Sequence, residues 1–187
     1  MCHYITATLP HNVILDSVVP IFESHKLGFE LITNPHVSAQ IEAGDLYVLT
    51  TRGHCDCGTA LGSLNLPAAD EVASYERELK KFRKQGWSEA KITRWLEQKE
   101  QIEERHLRED EARAQGSTSE LNQWVNFIAD VLQSGRVRRI GLLLHMYQRG
   151  VESERIDILG REIVKLAELN PEKLMRMKED VVYEFVV

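Results

Sequence analysis

A chain of 187 residues, 43% of them hydrophobic, is long enough to bury a core without disulfide staples. Its three cysteines are odd in number and all precede residue 58, which argues against a secreted disulfide framework and favours the reducing cytoplasm. The net charge of −6 argues against nucleic-acid binding and favours a basic protein partner, and the absence of an apolar stretch of roughly 20 residues argues against a membrane span.

The amino-terminal part of the chain predicts a strand, a helix and two further strands. His3–Leu9 is rich in β-branched and aromatic residues, and the segment 16–26 has the length of a helix that stops near Gly28. Two more β-rich segments, 29–33 and 46–51, are separated by turn-forming Asn, Pro, Gly and Asp residues. This order of elements is typical of a split β-α-β unit of the ferredoxin-like type.

The middle of the chain differs in composition from both flanks. The segment 68–115 is rich in charge and poor in glycine, and its apolar residues recur at helical spacing. Gly86 interrupts the pattern, and Ser88 stands where it can cap a second helix. We therefore predict an inserted helical hairpin at 68–115, with 1–67 and 116–187 together forming one α+β domain.

A helix and a buried strand are predicted directly after this insertion. Ser117 and Glu120 have the spacing of a capping box, and the apolar residues that follow lie on one helical face up to Gly135. The run 140–147 is almost continuously apolar, as in a central strand that is covered on both faces.

The carboxy-terminal part completes the predicted sheet. Apolar residues within 159–167 favour a helix, Asn170-Pro171 favours the start of a short one, and 181–187 favours a last strand. The fold class predicted for the whole chain is α+β, with a mixed, mainly antiparallel sheet on which helices pack.

One loop concentrates the residues that carry chemistry. Between two glycines it holds His54, Cys55 and Cys57, three groups that bind zinc in proteins. A tetrahedral zinc ion needs a fourth ligand, and Cys2 and His3 lie on a strand expected to neighbour the strand that leads into this loop. These five residues are the candidate metal ligands, and zinc is the candidate cofactor.

Three other interpretations of the loop stay open at this point. In the first, the cysteines are simply small apolar side chains that are buried, and the glycines permit tight turns. Cys55 and Cys57 also have the spacing of a strained, labile disulfide. In a third interpretation Cys57 is a nucleophile that is activated by a histidine base, and Asp56 orients that base. The bases then available are His54, His3 and His145, although His145 in a buried strand is more typical of a core histidine. No catalytic residue is assigned.

The function predicted from these features is protein binding without catalysis. An acidic body that carries a helical protrusion suits a cytoplasmic protein of the inhibitor or immunity type, combined with the Cys/His zinc site. The alternative is a cysteine-dependent or zinc-dependent enzyme that uses the loop from His54 to Cys57.

Overall fold

Six strands form one mixed sheet. The structure, a computed structural model, describes residues 2–62, 82, 84, 87–88, 91–95 and 117–187. The strands are β1 Cys2–Leu9, β2 Glu30–Ile32, β3 Leu46–Leu49, β4 Arg139–Tyr147, β5 Gly160–Lys165 and β6 Val181–Val186. They stand in the order β2-β3-β1-β4-β6-β5, with β5 and β6 parallel and the other pairs antiparallel. The predicted α+β class with a mainly antiparallel mixed sheet is confirmed.

Helices of very different length accompany the sheet. They are α1 Leu15–Ser24, α2 Pro35–Ser38, α3 at 117–133 and α4 Pro171–Met175. The two short helices begin in the same way, with an asparagine cap followed by proline at the first helical position. The Asn34 side-chain oxygen accepts from the His36 and Val37 N–H groups, and that of Asn170 accepts from the Lys173 N–H.

The long helix α3 presents the apolar face that its sequence predicts. Leu121, Trp124, Ile128 and Val131 are all buried, and the backbone turns away at Gly135 with a φ of +69°. Only glycine adopts that left-handed conformation without steric cost, so it marks the end of this helix as expected.

The sheet is covered on both faces by apolar side chains. Leu142 and Leu144 of β4 belong to a cluster that includes residues of α1 and α3. Leu143 and Tyr147 of the same strand belong to a second cluster, which includes Val37 of α2. Because side chains alternate along a strand, this division confirms β4 as the predicted central strand.

The helix predicted within 159–167 is wrong. Gly160–Lys165 forms β5, which lies at the end of the sheet and pairs in parallel with β6, and only 166–168 makes a helical turn. The apolar residues that suggested a helix do not face one core, because Val164 is buried while Leu159 and Ile163 are 77% and 65% exposed. Pairing with β6 supplies backbone hydrogen bonds, and the β-branched Ile163 and Val164 suit a strand.

The chain divides into two compact units, Met1–Asn65 with Ser117–Val187 and Leu66–Gly116. In the second unit, the Phe82 and Trp87 rings are stacked at 4.3 Å, and Lys91 Nζ lies 3.8 Å above the Trp87 ring. The predicted cap Ser88 accepts from the Lys91 N–H at 3.4 Å. The rest of the predicted hairpin at 68–115 lies outside the described residues. Within the described ranges, no helix has the length and apolar character to cross a membrane.

Candidate metal centre

The loop at 51–62 follows β3 and lies along the first residues of β1. The Asp56 N–H donates to the His3 carbonyl at 2.8 Å, and the Tyr4 hydroxyl donates to the His54 carbonyl at 2.7 Å. β1 and β3 are paired neighbours, with Thr6 opposite Leu49. The expected meeting of the amino-terminal strand with the cysteine loop is therefore confirmed, and these hydrogen bonds hold the two segments together.

Asp56 is the anchor of this loop. Its Oδ2 accepts from the Ile5 N–H at 2.8 Å and from the Thr51 hydroxyl, and its carbonyl accepts from the Thr59 N–H at 2.9 Å. The residue is only 8% exposed, and burial raises the pKa of its carboxyl while the bonds from Thr51 and Ile5 partly offset that rise. These hydrogen bonds give Asp56 a role in shaping the loop.

Three sulfur atoms meet beside this anchor. The Sγ atoms of Cys2, Cys55 and Cys57 all lie within 4.8 Å of one another, and each residue is half-buried. Cys57 Sγ accepts from the His3 N–H at 3.1 Å, and Cys55 Sγ accepts from the Cys57 N–H. Backbone N–H groups that point at sulfur stabilise a thiolate, which is the form that binds metals.

The two histidines of the predicted ligand set lie elsewhere. His3 follows Cys2 in a strand, so its side chain lies on the opposite face of the sheet, where Nε2 is 2.5 Å from Glu179 Oε1. His54 is exposed, and its imidazole does not belong to the group of mutually close ligand atoms found among the described residues. The structure thus brings together three of the five predicted ligands, all of them cysteines.

The thiols of Cys2 and Cys55 differ in acidity, which leads to a prediction for the metal-free protein. The N–H and side chain of Cys57 lower the pKa of Cys55, whereas the hydrogen bond to Cys55 and burial raise the pKa of Cys2. Because the thiolate is the reactive form, iodoacetamide at neutral pH should modify Cys55 before Cys2. Peptide mass spectrometry at successive times measures both rates, and faster modification of Cys2 would contradict the assignment.

Sequence reasoning missed the residues that shape the surroundings of the thiols. Glu120, expected to close a capping box, accepts from the Ala60 N–H at 2.6 Å and so ties α3 to the loop. Gly62 lies directly beneath Asp56, with no room for a side chain. The spacing of Asp56 and Thr59 suits a turn that their own polar groups stabilise. This spacing could have predicted the compact shape of the loop.

A second polar cluster surrounds His145 on β4. Its Nδ1 lies 2.6 Å from Asp180 Oδ1, and its Nε2 lies 3.7 Å from Glu154 Oε1. Burial lowers the pKa of His145, but the hydrogen bond and charge of Asp180, together with Glu154, outweigh it and raise the pKa above 6.5 overall. His145 is therefore half-buried among carboxylates and is not a fully satisfied core histidine, because Nε2 has no hydrogen-bond partner among the described residues.

The raised pKa of His145 predicts how stability depends on pH. The ion pair contributes fully below 6.5, the unfolded value, and its contribution is lost as the pH rises through the higher folded value. Asp180→Asn keeps a hydrogen-bond acceptor and tolerates the φ of 60° at this position. It should lower the free energy of unfolding by about 1.5 kcal/mol in acid, where His145 is charged, and by less in alkali. Urea titrations across this range measure the difference, and a pH-independent effect would contradict it.

Three half-buried thiols this close together, two of which accept backbone N–H bonds, are suited to bind a soft metal ion, to form a disulfide, or to present a reactive thiolate. All three are reduced in the structure. Comparison of the chain with protein-family models, with curated proteins and with solved structures gave no match. The three-cysteine cluster is therefore the feature on which a functional argument rests.

Proposed function

We propose that the chain is a zinc-binding protein whose metal is held by Cys2, Cys55 and Cys57. The observation that carries this proposal is the mutual separation of their sulfur atoms, at most 4.8 Å. Zn–S bonds of about 2.3 Å in a tetrahedron place sulfur atoms about 3.8 Å apart. Side-chain adjustments of about one ångström therefore suffice to close three thiolates on one ion.

The fourth position has a ready occupant in His54. Its side chain is exposed, and it precedes Cys55 in the same loop, so rotation about its side-chain bonds is not opposed by packing. His3 is less suited, because its ring is buried and already bonded to Glu179. A water molecule is the alternative fourth ligand, and it is the arrangement that zinc enzymes use.

The role that we propose for the metal is structural. An ion on these thiolates would join the first residue of β1 to the loop after β3, at the point where backbone hydrogen bonds already connect them. We also assign β1 to β4, with α1 and α3, to a ferredoxin-like arrangement. The support is their order β2-β3-β1-β4, with antiparallel neighbours and helices after β1 and before β4.

Metal analysis of the full-length protein tests this proposal. Protein purified without chelator should contain one zinc per chain, and cobalt should replace it with the intense visible absorption of a tetrahedral thiolate site. Cys57→Ser should weaken zinc binding by more than about 100-fold, since the loss of a mere hydrogen-bond partner of a ligand already costs about 10–100-fold. Substoichiometric zinc together with an absent cobalt spectrum would refute the proposal.

Two histidine variants serve as matched controls in the same assay. His54→Asn should weaken binding if the imidazole is the fourth ligand and leave it unchanged if water is. His3→Asn should leave zinc affinity unchanged, because that imidazole lies on the other face of the sheet. A large effect of His3→Asn would show that the sulfur cluster is not the metal site.

A protein partner is the second candidate function. It is supported by the net charge of −6 and by the exposed apolar side chains of Leu159 and Ile163 at the β5 end of the sheet. A basic partner of the kind bound by inhibitor or immunity proteins should then be crosslinked to the wild-type chain and lost with Ile163→Glu. Retention of the same partner by that variant would exclude this surface.

A further inference from the structure

An open cavity of about 250 Å³ borders the cysteine cluster on the side of α3. Its wall includes Cys55 and Arg52 of the loop, Lys26 and Leu27 after α1, and Gln123 and Trp124 of α3. The cavity is large enough for a small molecule and too small for a peptide segment or a nucleic-acid strand. What it would bind depends on which of its polar groups are free.

The acidic groups in the wall are already engaged. Asp56 Oδ2 receives the Ile5 N–H and the Thr51 hydroxyl, and Glu120 Oε2 receives the Ala60 N–H. The ring of His25, which also reaches the wall, lies 2.7 Å from Asp130 Oδ2. The negative groups around the cavity thus already have donors within the protein.

The cationic groups in the wall are not engaged in the same way. Among the described residues, neither Arg52 nor Lys26 has an ion-pair partner within 4.0 Å, and both are exposed. A guanidinium and an ammonium that border one concave site match an anion, since the fork of arginine pairs with carboxylate or phosphate oxygens. The charged groups of this wall that lack an ion-pair partner among the described residues are therefore cations.

Part of the remaining wall is apolar. Trp124 is 8% exposed and Leu27 is partly buried against the same core cluster, so they present hydrocarbon surface where the cavity meets α3. A free inorganic ion would leave that apolar surface exposed to water, whereas a ring or short chain attached to the anion would cover it.

We propose that this cavity binds a small organic anion, with its carboxylate or phosphate on Arg52 and Lys26 and its apolar part against Trp124. The site is separate from the sulfur atoms that we assign to zinc, although Cys55 borders both. Arg52 and Lys26 are not among the residues that we assign to zinc, so a failure of anion binding and a failure of zinc binding are measured separately.

Titration calorimetry of the full-length protein with benzoate, phenyl phosphate and neutral benzamide tests this inference. Benzoate or phenyl phosphate should bind saturably and at least about tenfold more tightly than benzamide, both with and without zinc, because a charge-assisted contact contributes about a factor of ten or more. The tighter of the two anions identifies carboxylate or phosphate as the natural group. Equal binding of all three probes, or of none, would overturn the proposal.

Substitutions in the cavity wall test whether the anion binds in this cavity. Arg52→Gln and Lys26→Gln should each weaken the preferred anion by about tenfold, whereas Arg138→Gln, at an exposed arginine outside this wall, should not. In ¹H–¹⁵N NMR spectra the Trp124 indole signal should move on binding. Unchanged affinity in Arg52→Gln, or an unmoved Trp124 signal at saturation, would contradict the assignment.

Discussion

Replacement of Gly62 by alanine should lower the free energy of unfolding by about 3 kcal/mol, the upper part of the range for overpacked sites. A Cβ at this position would lie 1.9 Å from the Asp56 carbonyl oxygen and 2.6 Å from its carbon. Both are backbone atoms, so no side-chain rotation relieves the clash, and either the turn or the anchor must move. Urea unfolding followed by circular dichroism measures the loss.

The same substitution should also weaken zinc binding, because Asp56 separates two of the proposed ligands, Cys55 and Cys57. Gly58→Ala is the matched control, since nothing lies within 4 Å of the Cβ built at Gly58 in the same loop. We expect that control to change stability by less than about 0.5 kcal/mol. Equal effects of the two alanines on stability and zinc affinity would contradict this account of the loop.

Asp45→Asn should cause the second largest loss of stability. Asp45 lies at the end of the sheet opposite Cys2. The Asp45 carboxylate is 2% exposed and receives two bonds from Arg139, at 2.8 and 2.9 Å. The hydrogen bond and charge of Asp45 raise the pKa of Arg139, with burial opposing the rise. Asp45→Asn leaves Arg139 only with Glu42, which is exposed, and with Glu184 at 3.9 Å, and we expect a loss of about 2 kcal/mol in urea unfolding.

Glu42→Gln is the control for that substitution. Glu42 lies 2.7 Å from the same guanidinium, but its side chain is 54% exposed, so solvent weakens the interaction. Its effect should stay below about 0.5 kcal/mol. Neither variant should alter zinc affinity, because both residues lie at the far end of β1 from Cys2. A larger effect of Glu42→Gln than of Asp45→Asn would contradict the role of burial.

Local signals in the sequence were sufficient wherever the physical cause was itself local. The asparagine-proline start of α4, the end of α3 at Gly135 and the apolar run of β4 were predicted, whereas Asn34-Pro35 was interpreted as a turn although it starts the short helix α2. Each depends on the backbone preferences or hydrogen bonds of adjacent residues. The segment 159–167 was mispredicted because its conformation depends on pairing with β6, a partner that local spacing does not reveal.

The candidate site shows the same difference between features with local causes, which were predictable, and features with long-range causes, which were not. The meeting of Cys2 with the cysteine loop followed from the expected pairing of β1 with β3. Cys2 and His3, however, were treated as one unit, although alternation in a strand sends adjacent side chains to opposite faces. That rule was available from the sequence, whereas the bond of His3 to Glu179, distant in the chain, was not.

An α+β fold, the positions of most strands, and a glycine-bracketed loop in which thiols are crowded could all be predicted from local patterns in the chain. Those features follow from apolar periodicity and from residues that favour turns, which act over a few positions. Folding in three dimensions was needed to show that three sulfurs converge, that both imidazoles of the expected ligand set stay apart from them, and that Arg52 and Lys26 border one cavity. Such arrangements depend on strand register and helix packing, which join residues far apart in the chain and leave no short-range pattern.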